Sequence, residues 1–377
     1  MKLLFLNGSR GEWGYIRPII DECRRGDIEY SIIATNMLMM RDHGSLLNDI
    51  RSQGYNICDE LLMSFSETDH FSFAKSMGVL LLGLVETIRR EKPTWLILAG
   101  DRGEQLIGAI AASYTYTPVA HIQAGERSGN IDGVARHAIG KLVHMHFAAN
   151  DDASQRLLAL GEQAHRIHNV GAPQLDEITQ SQLPTRDSLV KRYNLDRNSP
   201  HLLCVFHPVT EELSQVRTQI RVLCEALKKS KLPKIWIMPN NDAGGQLVRE
   251  IIQEERVSDW ILFSNLDRSD YLGLLRDAAA IVGNSSSGLL EAPSFQTAAI
   301  NLGRRQADRV QGDNVLNGDF DEDQILHLIK LATSSSFQES LMNCTNPYGD
   351  GRSSPKILDV LLNTTLDDTL LMRNITR

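Results

Sequence analysis

The sequence predicts an α/β protein of two Rossmann-like, doubly wound domains facing a cleft, and three observations carry this. Its 377 residues exceed the ~100 to 200 of one ordinary domain. Short, continuously apolar segments alternate with helical periodicity along most of the chain, the pattern of parallel strands covered on both faces. The alternation is broken once, from Gly171-Ala172-Pro173 through Pro184 to the polar stretch 196–200, before it resumes. The domains are therefore expected at 1–170 and 171–355, with ligands at the carboxyl ends of the strands.

Residues 3–7 read as a first buried strand, too short for a signal-peptide core or for a membrane span of about 20 residues. A helix over 15–25 follows, with Pro18 tolerable only in its first turn. Further strands are predicted at 30–34, 95–99, 118–123 and 147–149, with helices at 104–113, 134–145 and 153–160. The apolar run 77–88 exceeds normal strand length and is predicted as a packed helix too short to cross a membrane. In the second half, strands at 202–206, 235–238, 260–263 and 279–282 alternate with helices at 211–229, 246–255, 270–277 and 289–295, and a helix at 355–363 follows.

Hydrophobic residues at 42% and charged residues at 23% exclude intrinsic disorder. Lys+Arg 39 against Asp+Glu 47 leaves a net charge of −8, which with the absence of a long basic run argues against nucleic-acid or membrane partners. A bound anion would need a local pocket of Arg and backbone amides, so the partner is expected to be small. The five cysteines, Cys23, Cys58, Cys204, Cys224 and Cys344, are odd in number and contain no C-x-x-C pair. Neither a disulfide framework nor a structural zinc site follows, and a reduced, cytoplasmic setting fits best.

The strongest local signal is Gly283-Asn284-Ser285-Ser286-Ser287-Gly288 between an apolar strand and a helix. Such a turn offers amides, hydroxyls and a helix N-terminus to a phosphate, and Glu291 one turn on suits a ribose diol; the alternative is that the serines merely cap the helix. G-x-x-x-x-G-K-[ST] is absent, so this is no P-loop. Arg10, in Gly8-Ser9-Arg10-Gly11-Glu12, could supply a cation to the same phosphates or simply lie on a solvated turn. His207, in His207-Pro208-Val209-Thr210, offers an imidazole after a strand, where a structural role is the alternative. The loop from Met238 to Gly245, with Asn241, could read a base edge or be an ordinary turn.

For chemistry the informative residues are acidic. Asp101 in Gly100-Asp101-Arg102 and Glu126 in Gln123-Ala124-Gly125-Glu126 follow two strands of one domain, and Asp132 is placed at the N-cap of the helix carrying Arg136, His137, Lys141 and His144. Three carboxylates on one strand edge would raise one another's pKa and provide a group that takes or holds a proton near neutral pH. Taken singly, Asp132 could be a helix cap and Asp101 a turn acid. His121, His137, His144 and His146 invite a metal reading, but His144 and His146, two apart on a helix end, would diverge, so core packing is expected and no metal.

In order along the chain, GSRGEWG, GDRGE, HIQAGERSGNIDGVARHAIGKLVHMHF, VGAPQLDEI, FHPVT, PNNDAG and GNSSSGLLEAP resemble the hydrolysing UDP-N-acetylglucosamine 2-epimerases of sialic-acid biosynthesis. The resemblance implies a glycosyltransferase-B-like fold whose final segment, 356–377, returns to the first domain. It implies a UDP-sugar substrate, water as acceptor, and a homo-oligomer, either a dimer or a dimer of dimers. By it Asp101, Glu126 and Asp132 are the catalytic carboxylates, and Arg10 and Arg102 are cations near the pyrophosphate and sugar. Ser285 and Ser286 hold phosphate, Glu291 the ribose and His207 the nucleotide, and Gly283 and Asn241 are expected among the substrate-binding residues. The chain departs from the family where Gly133 replaces a second acid after Asp132, and where Ala124-Gly125 replaces Gly-Gly. Asp132 must then serve alone.

No G-x-G-x-x-G follows a strand, so no dinucleotide or other cofactor is expected, and inversion at C2 is expected to proceed by loss and return of its proton. UDP would leave by C1–oxygen cleavage to give 2-acetamidoglucal, and water at C1 with a proton at C2 would give N-acetylmannosamine. The alternatives within the family are a hydrolysing epimerase of a UDP-2,4-diacetamido-6-deoxy sugar of legionaminic-type pathways, and a non-hydrolysing epimerase, whose serine loop usually reads like TDSGGIQEE. Outside it stand a retaining glycosyltransferase and a catalytically inactive nucleotide-sugar sensor.

Overall fold

A strand that is apolar along its length must be covered on both faces, and the chain builds two all-parallel sheets that do this. The computed structural model describes residues 1–39, 46–63, 70–127, 131–180, 182–197, 199–239, 244–264 and 266–372, apart from the side chains of His70, Ile131, Asp132 and Thr210. The first sheet runs from β1 (Lys2–Asn7), β2 (Glu29–Thr35), β3 (Ile57–Leu61) and β4 (Trp95–Ala99) to β5 (Val119–Ile122), β6 (Met145–Ala148) and β7 (Ile167–Asn169). Its order is β3-β2-β1-β4-β5-β6-β7. The second contains β8 (His201–Val205), β9 (Lys234–Ile237), β10 (Trp260–Phe263), β11 (Ala278–Gly283), β12 (Ala298–Leu302) and β13 (Val315–Gly318), in the order β10-β9-β8-β11-β12-β13. In each order the winding direction reverses at one point, between β1 and β4 and between β8 and β11. Open α/β sheets bind ligands just past the carboxyl ends of the strands at such points.

Alternation along β1 shows how the first core is layered. Leu3 and Phe5 meet Ile16, Ile19 and Cys23 of the helix Arg10–Arg25 and Ile357 of the helix Ser353–Asn363. Leu4 and Leu6 face the other way, onto Leu80 and Leu84 of the helix His70–Glu91 and Ile107 of the helix Gly103–Tyr114. In the second core Leu202 and Cys204 meet the helices Val216–Lys229 and Gly245–Glu255, while Leu203 and Val205 meet Leu189 and Leu274.

The chain divides into two compact units, Met1–Thr179 with Tyr348–Arg377, and Gln180–Pro347. The segment Gly171-Ala172-Pro173 stays with the first unit because Gly171 packs against Tyr348 and Gly349, and because the Asp176 carboxylate accepts from the Ser353 and Ser354 amides at 2.8 and 2.6 Å. Arg166 ties down the chain beyond the last long helix through the carbonyls of Thr369 and Leu370, both at 2.8 Å.

Several elements differ from the sequence expectation, three helices among them. The first helix starts at Arg10, with the Ser9 hydroxyl accepting from the Glu12 amide at 3.3 Å, so Pro18 falls inside it. The run 77–88 belongs to a 22-residue helix, and by length and composition its Phe71–Glu91 portion is apolar enough to cross a membrane, with a third of the window buried in this fold. The predicted helix 289–295 is one turn, Ser287–Leu290, followed by a 3-10 turn, Ala292–Phe295, because Pro293 removes an amide donor.

Candidate active site

The motifs of the first half gather on the carboxyl edge of the first sheet. Arg10 opens its helix after β1, exposed and with no side-chain partner among the described residues. Asp101 and Arg102 follow β4. The Asp101 Oδ2 accepts from Arg136 Nη2 at 2.5 Å, and Nη1 of the same guanidinium donates to the Gln123 carbonyl at 2.5 Å. Arg136 is buried and reaches the edge from the helix Ile131–Leu142. Asp101, one of the three carboxylates expected to act on one another's pKa, is thus ion-paired with a buried cation.

Glu126 lies past β5 in a sharply bent segment. Gly125 has φ +76°, where an added Cβ would lie 2.4 Å from the Ala153 carbonyl oxygen, and Gln123 holds φ +61°, a conformation that costs a non-glycine residue energy and is held by its surroundings. With the Gln123 amide turned so that its nitrogen meets Glu126, it donates to both carboxylate oxygens at 3.1 and 3.2 Å. Asp132 lies within the helix Ile131–Leu142 and not at the expected N-cap.

Four groups that sequence reasoning did not single out join this edge. Arg136 is one, and Gln123 another. Glu12 and Glu104 are the others, both buried, with Glu104 paired to Arg102 at 3.0 Å. Burial, with Glu104 beside it, holds the Glu12 carboxyl well above the usual range. Of the four histidines, His121, His144 and His146 are buried, and His137 is half-buried. His121 Nε2 donates to the Gly100 carbonyl at 2.6 Å, and burial pushes its pKa down to about 3. His144 Nδ1 accepts from the Val119 amide at 3.1 Å, and His146 Nε2 stands 3.2 Å from Glu162. His146 lies on β6, with His144 just before that strand, not on a helix end. No group of three His, Cys, Asp or Glu among the described residues could hold a metal ion.

In the second unit β8 and β11 are joined at their ends. The Asn284 side chain donates to the His207 carbonyl at 2.8 Å and accepts from the His207 amide at 2.7 Å. Gly283 is required there: its φ is +135°, and a Cβ would stand 2.1 Å from the Val205 carbonyl oxygen. Ser285 and Ser286 are half-buried at the start of the single turn Ser287–Leu290. Broken by Pro293, that turn has little macrodipole, so attraction for an anion must come from local amides and hydroxyls. Glu291 Oε1 accepts from Arg268 at 2.6 Å, while its buried Oε2 has no hydrogen-bond partner among the described residues. Asn241 lies outside the described residues. A cavity of about 230 Å³ opens at the opposite, amino edge of this sheet, lined by Leu189, Ile235 and Leu274, and holds none of these motif residues.

Residues 21–362 match the family model described as UDP-N-acetylglucosamine 2-epimerase. The chain belongs to this family. It is 36% identical over 372 residues, 98% of both chains, to the UDP-N,N'-diacetylbacillosamine 2-epimerase (hydrolyzing) of Legionella pneumophila. To the UDP-N-acetylglucosamine 2-epimerase of Neisseria meningitidis serogroup B it is 30% identical, over 96% of this chain and 95% of the relative. The fold is shared with a crystal structure of UDP-GlcNAc 2-epimerase from Neisseria meningitidis bound to UDP-GlcNAc, at a TM-score of 0.82 and 20% identity over 97% of this chain and 100% of that one. Two parallel-sheet α/β units of the glycosyltransferase-B-like kind are thus the fold of this epimerase-family chain.

Proposed function

We propose that this protein is a hydrolysing 2-epimerase of a UDP-2-acetamido sugar. The observation that carries the reading is the pair of motif acids Asp101 and Glu126 at the carboxyl edge of the first sheet, with one Arg136 guanidinium bonded to both Asp101 and the turn before Glu126. In this reading Asp101, Glu126 and Asp132 move protons at the sugar, with Arg10 and Arg102 as cations for the departing phosphate. Gly283, Ser285, Ser286, Glu291, His207 and Asn241 take the UDP.

The reaction has two halves. A carboxylate takes the C2 proton, the C1–oxygen bond breaks with its electron pair leaving on UDP, and a C1–C2 double bond forms. Water then adds its oxygen to C1, and a proton returns to C2 on the opposite face, giving the free 2-epimeric sugar. UDP-N-acetylglucosamine, yielding N-acetylmannosamine, is the substrate the motifs suggest. A second reading, a UDP-2,4-diacetamido-6-deoxy sugar, is favoured by the 36% identity to the Legionella enzyme across the whole chain. A homo-oligomer belongs to the same proposal, since association would remove exposed Phe71, Val79 and Leu82 from water, as does a cytoplasmic setting, in which the five cysteines remain free thiols.

Turnover of both UDP-sugars in heavy water, followed by NMR, tests the proposal. Expected are free sugar and UDP, with one deuterium at C2 of the epimerised product. Only protium at C2 would refute elimination, a UDP-linked epimer would show the non-hydrolysing reaction, and the substrate consumed fixes the sugar.

A further inference from the structure

Two turns at the switch point of the first sheet share the pattern Gly-x-Arg-Gly-Glu, Gly8-Ser9-Arg10-Gly11-Glu12 after β1 and Gly100-Asp101-Arg102-Gly103-Glu104 after β4. β1 and β4 are paired neighbours, so the two Arg-Gly-Glu triplets stand side by side, and both glutamates turn inward, 2% and 0% exposed. Glu104 Oε1 accepts from Arg102 Nε and from Asn36 Nδ2, each at 3.0 Å, and Glu12 Oε2 accepts from the Gly8 amide at 2.5 Å. The second oxygen of each, Glu12 Oε1 and Glu104 Oε2, is buried and without a hydrogen-bond donor among the described residues. Packing is close enough that a Cβ on Gly8 would stand 2.4 Å from Glu104 Oε1.

The groups facing Glu12 are Glu104 and Gln105 from the helix Gly103–Tyr114, Arg102 just before it, and the Gly8 amide of its own turn. Asn36, after β2, faces Glu104. Arg102 is the cation among them, and it can balance one negative charge, not two. Two buried carboxyls with two leftover acceptor oxygens are satisfied when one proton turns one of those oxygens into a donor.

We propose that Glu12 and Glu104 share one proton, and that Glu104 is a positioning residue which, through Arg102 and the packed Gly8 turn leading to Arg10, sets both cations of this edge for the reaction. The roles of Arg10 and Arg102 rest on the function proposed above. Burial and the neighbouring Glu104 charge hold the proton on Glu12. As the pH rises through that raised value the proton leaves, two buried carboxylates oppose each other, and the turns are pushed apart.

The test uses the full-length protein. Infrared spectra at neutral pH should show a buried carboxylic-acid carbonyl band that Glu12→Gln removes, a readout independent of turnover. In Glu12→Gln the amide donates to Glu104 as the shared proton does but cannot titrate, so the alkaline limb of kcat/KM flattens, and an alkaline limb like that of the wild type overturns the shared proton. Glu104→Gln removes the charge that Arg102 answers, and should lower kcat/KM about 10- to 100-fold, the worth of one charge-assisted hydrogen bond, with UDP affinity less affected. A wild-type spectrum without the acid band overturns the shared proton, and a fully active Glu104→Gln overturns the positioning role. If the wild-type protein turned over no UDP-sugar while the acid band stood, the failure would lie with the proposed function and not with the carboxyl pair.

Discussion

Replacing Arg136 by Lys tests whether one guanidinium organises the acidic edge. The residue is buried and spends two nitrogens on two acceptors that arrive from different strands: Asp101 Oδ2, after β4, and the Gln123 carbonyl, after β5. An ammonium keeps the charge but is a compact point that cannot reproduce the two-pronged geometry. One charge-assisted bond is then lost, at about 1.5 to 3 kcal/mol of stability, and Arg136→Met, which also leaves Asp101 uncompensated, should cost about 3 to 5 kcal/mol. The catalytic effect is larger than that of a peripheral substitution, because a displacement of about 1 Å at a reacting group can cost ~10²-fold in rate. Thermal or denaturant unfolding gives the first number, and steady-state kinetics on the UDP-sugar gives the second. Calorimetric UDP binding should stay near wild type, since the proposed nucleotide ligands belong to the second unit. An Arg136→Lys enzyme with wild-type kcat/KM and stability would show that the Asp101–Arg136–Gln123 arrangement plays no part in the reaction.

Two further outcomes follow from separate features. Ser285→Ala combined with Ser286→Ala removes two hydroxyl donors from the proposed phosphate site; at about 1.5 to 3 kcal/mol per charge-assisted bond, UDP affinity should fall at least tenfold, and unchanged calorimetric binding would place the nucleotide elsewhere. Acid should weaken both units, because burial depresses His121 to about 3 and His201 to about 4. Below their unfolded values near 6.5, the unfolded chain gains protons that the folded chain refuses, so stability present at neutral pH is lost as pH falls. The slope is about 1.4 kcal/mol per pH unit for each histidine between roughly pH 6 and 4. Urea titrations across that window measure it, and stability flat with pH there would contradict the burial of these rings.

The legible parts of the fold were those in which one strand's chemistry decides its environment. β1, β4, β8 and β11 read correctly because both faces of each are buried for most of its length. β3 was not legible: Ile57–Leu61 is a half-exposed edge strand with Asp59 and Glu60 in it, and β7 is only three residues long. β12, Ala298–Leu302, is fully buried but small residues begin it, and only its pairing with β11 and β13 makes it a strand. The helix of 22 residues from His70 extends beyond its apolar run because polar residues at its start mask the periodicity, and Pro293 stops the helical run after Leu290.

At the site, single-turn chemistry was visible and pairing across turns was not. Gly283 could be chosen from the glycine- and serine-rich turn, and the structure adds why: the carbonyl of Val205 occupies the space of a side chain there. Arg136 could be placed on a helix, yet nothing in its spacing says that it reaches Asp101, 35 residues earlier. The repeated Arg-Gly-Glu triplets lie 92 residues apart, Glu12 to Glu104, and the repeat gains meaning only from the strand order. Because β1 lies directly beside β4, the two cations stand on one edge with their glutamates buried together beneath them. Had β2 stood between these strands, the same residues would have made two ordinary helix starts.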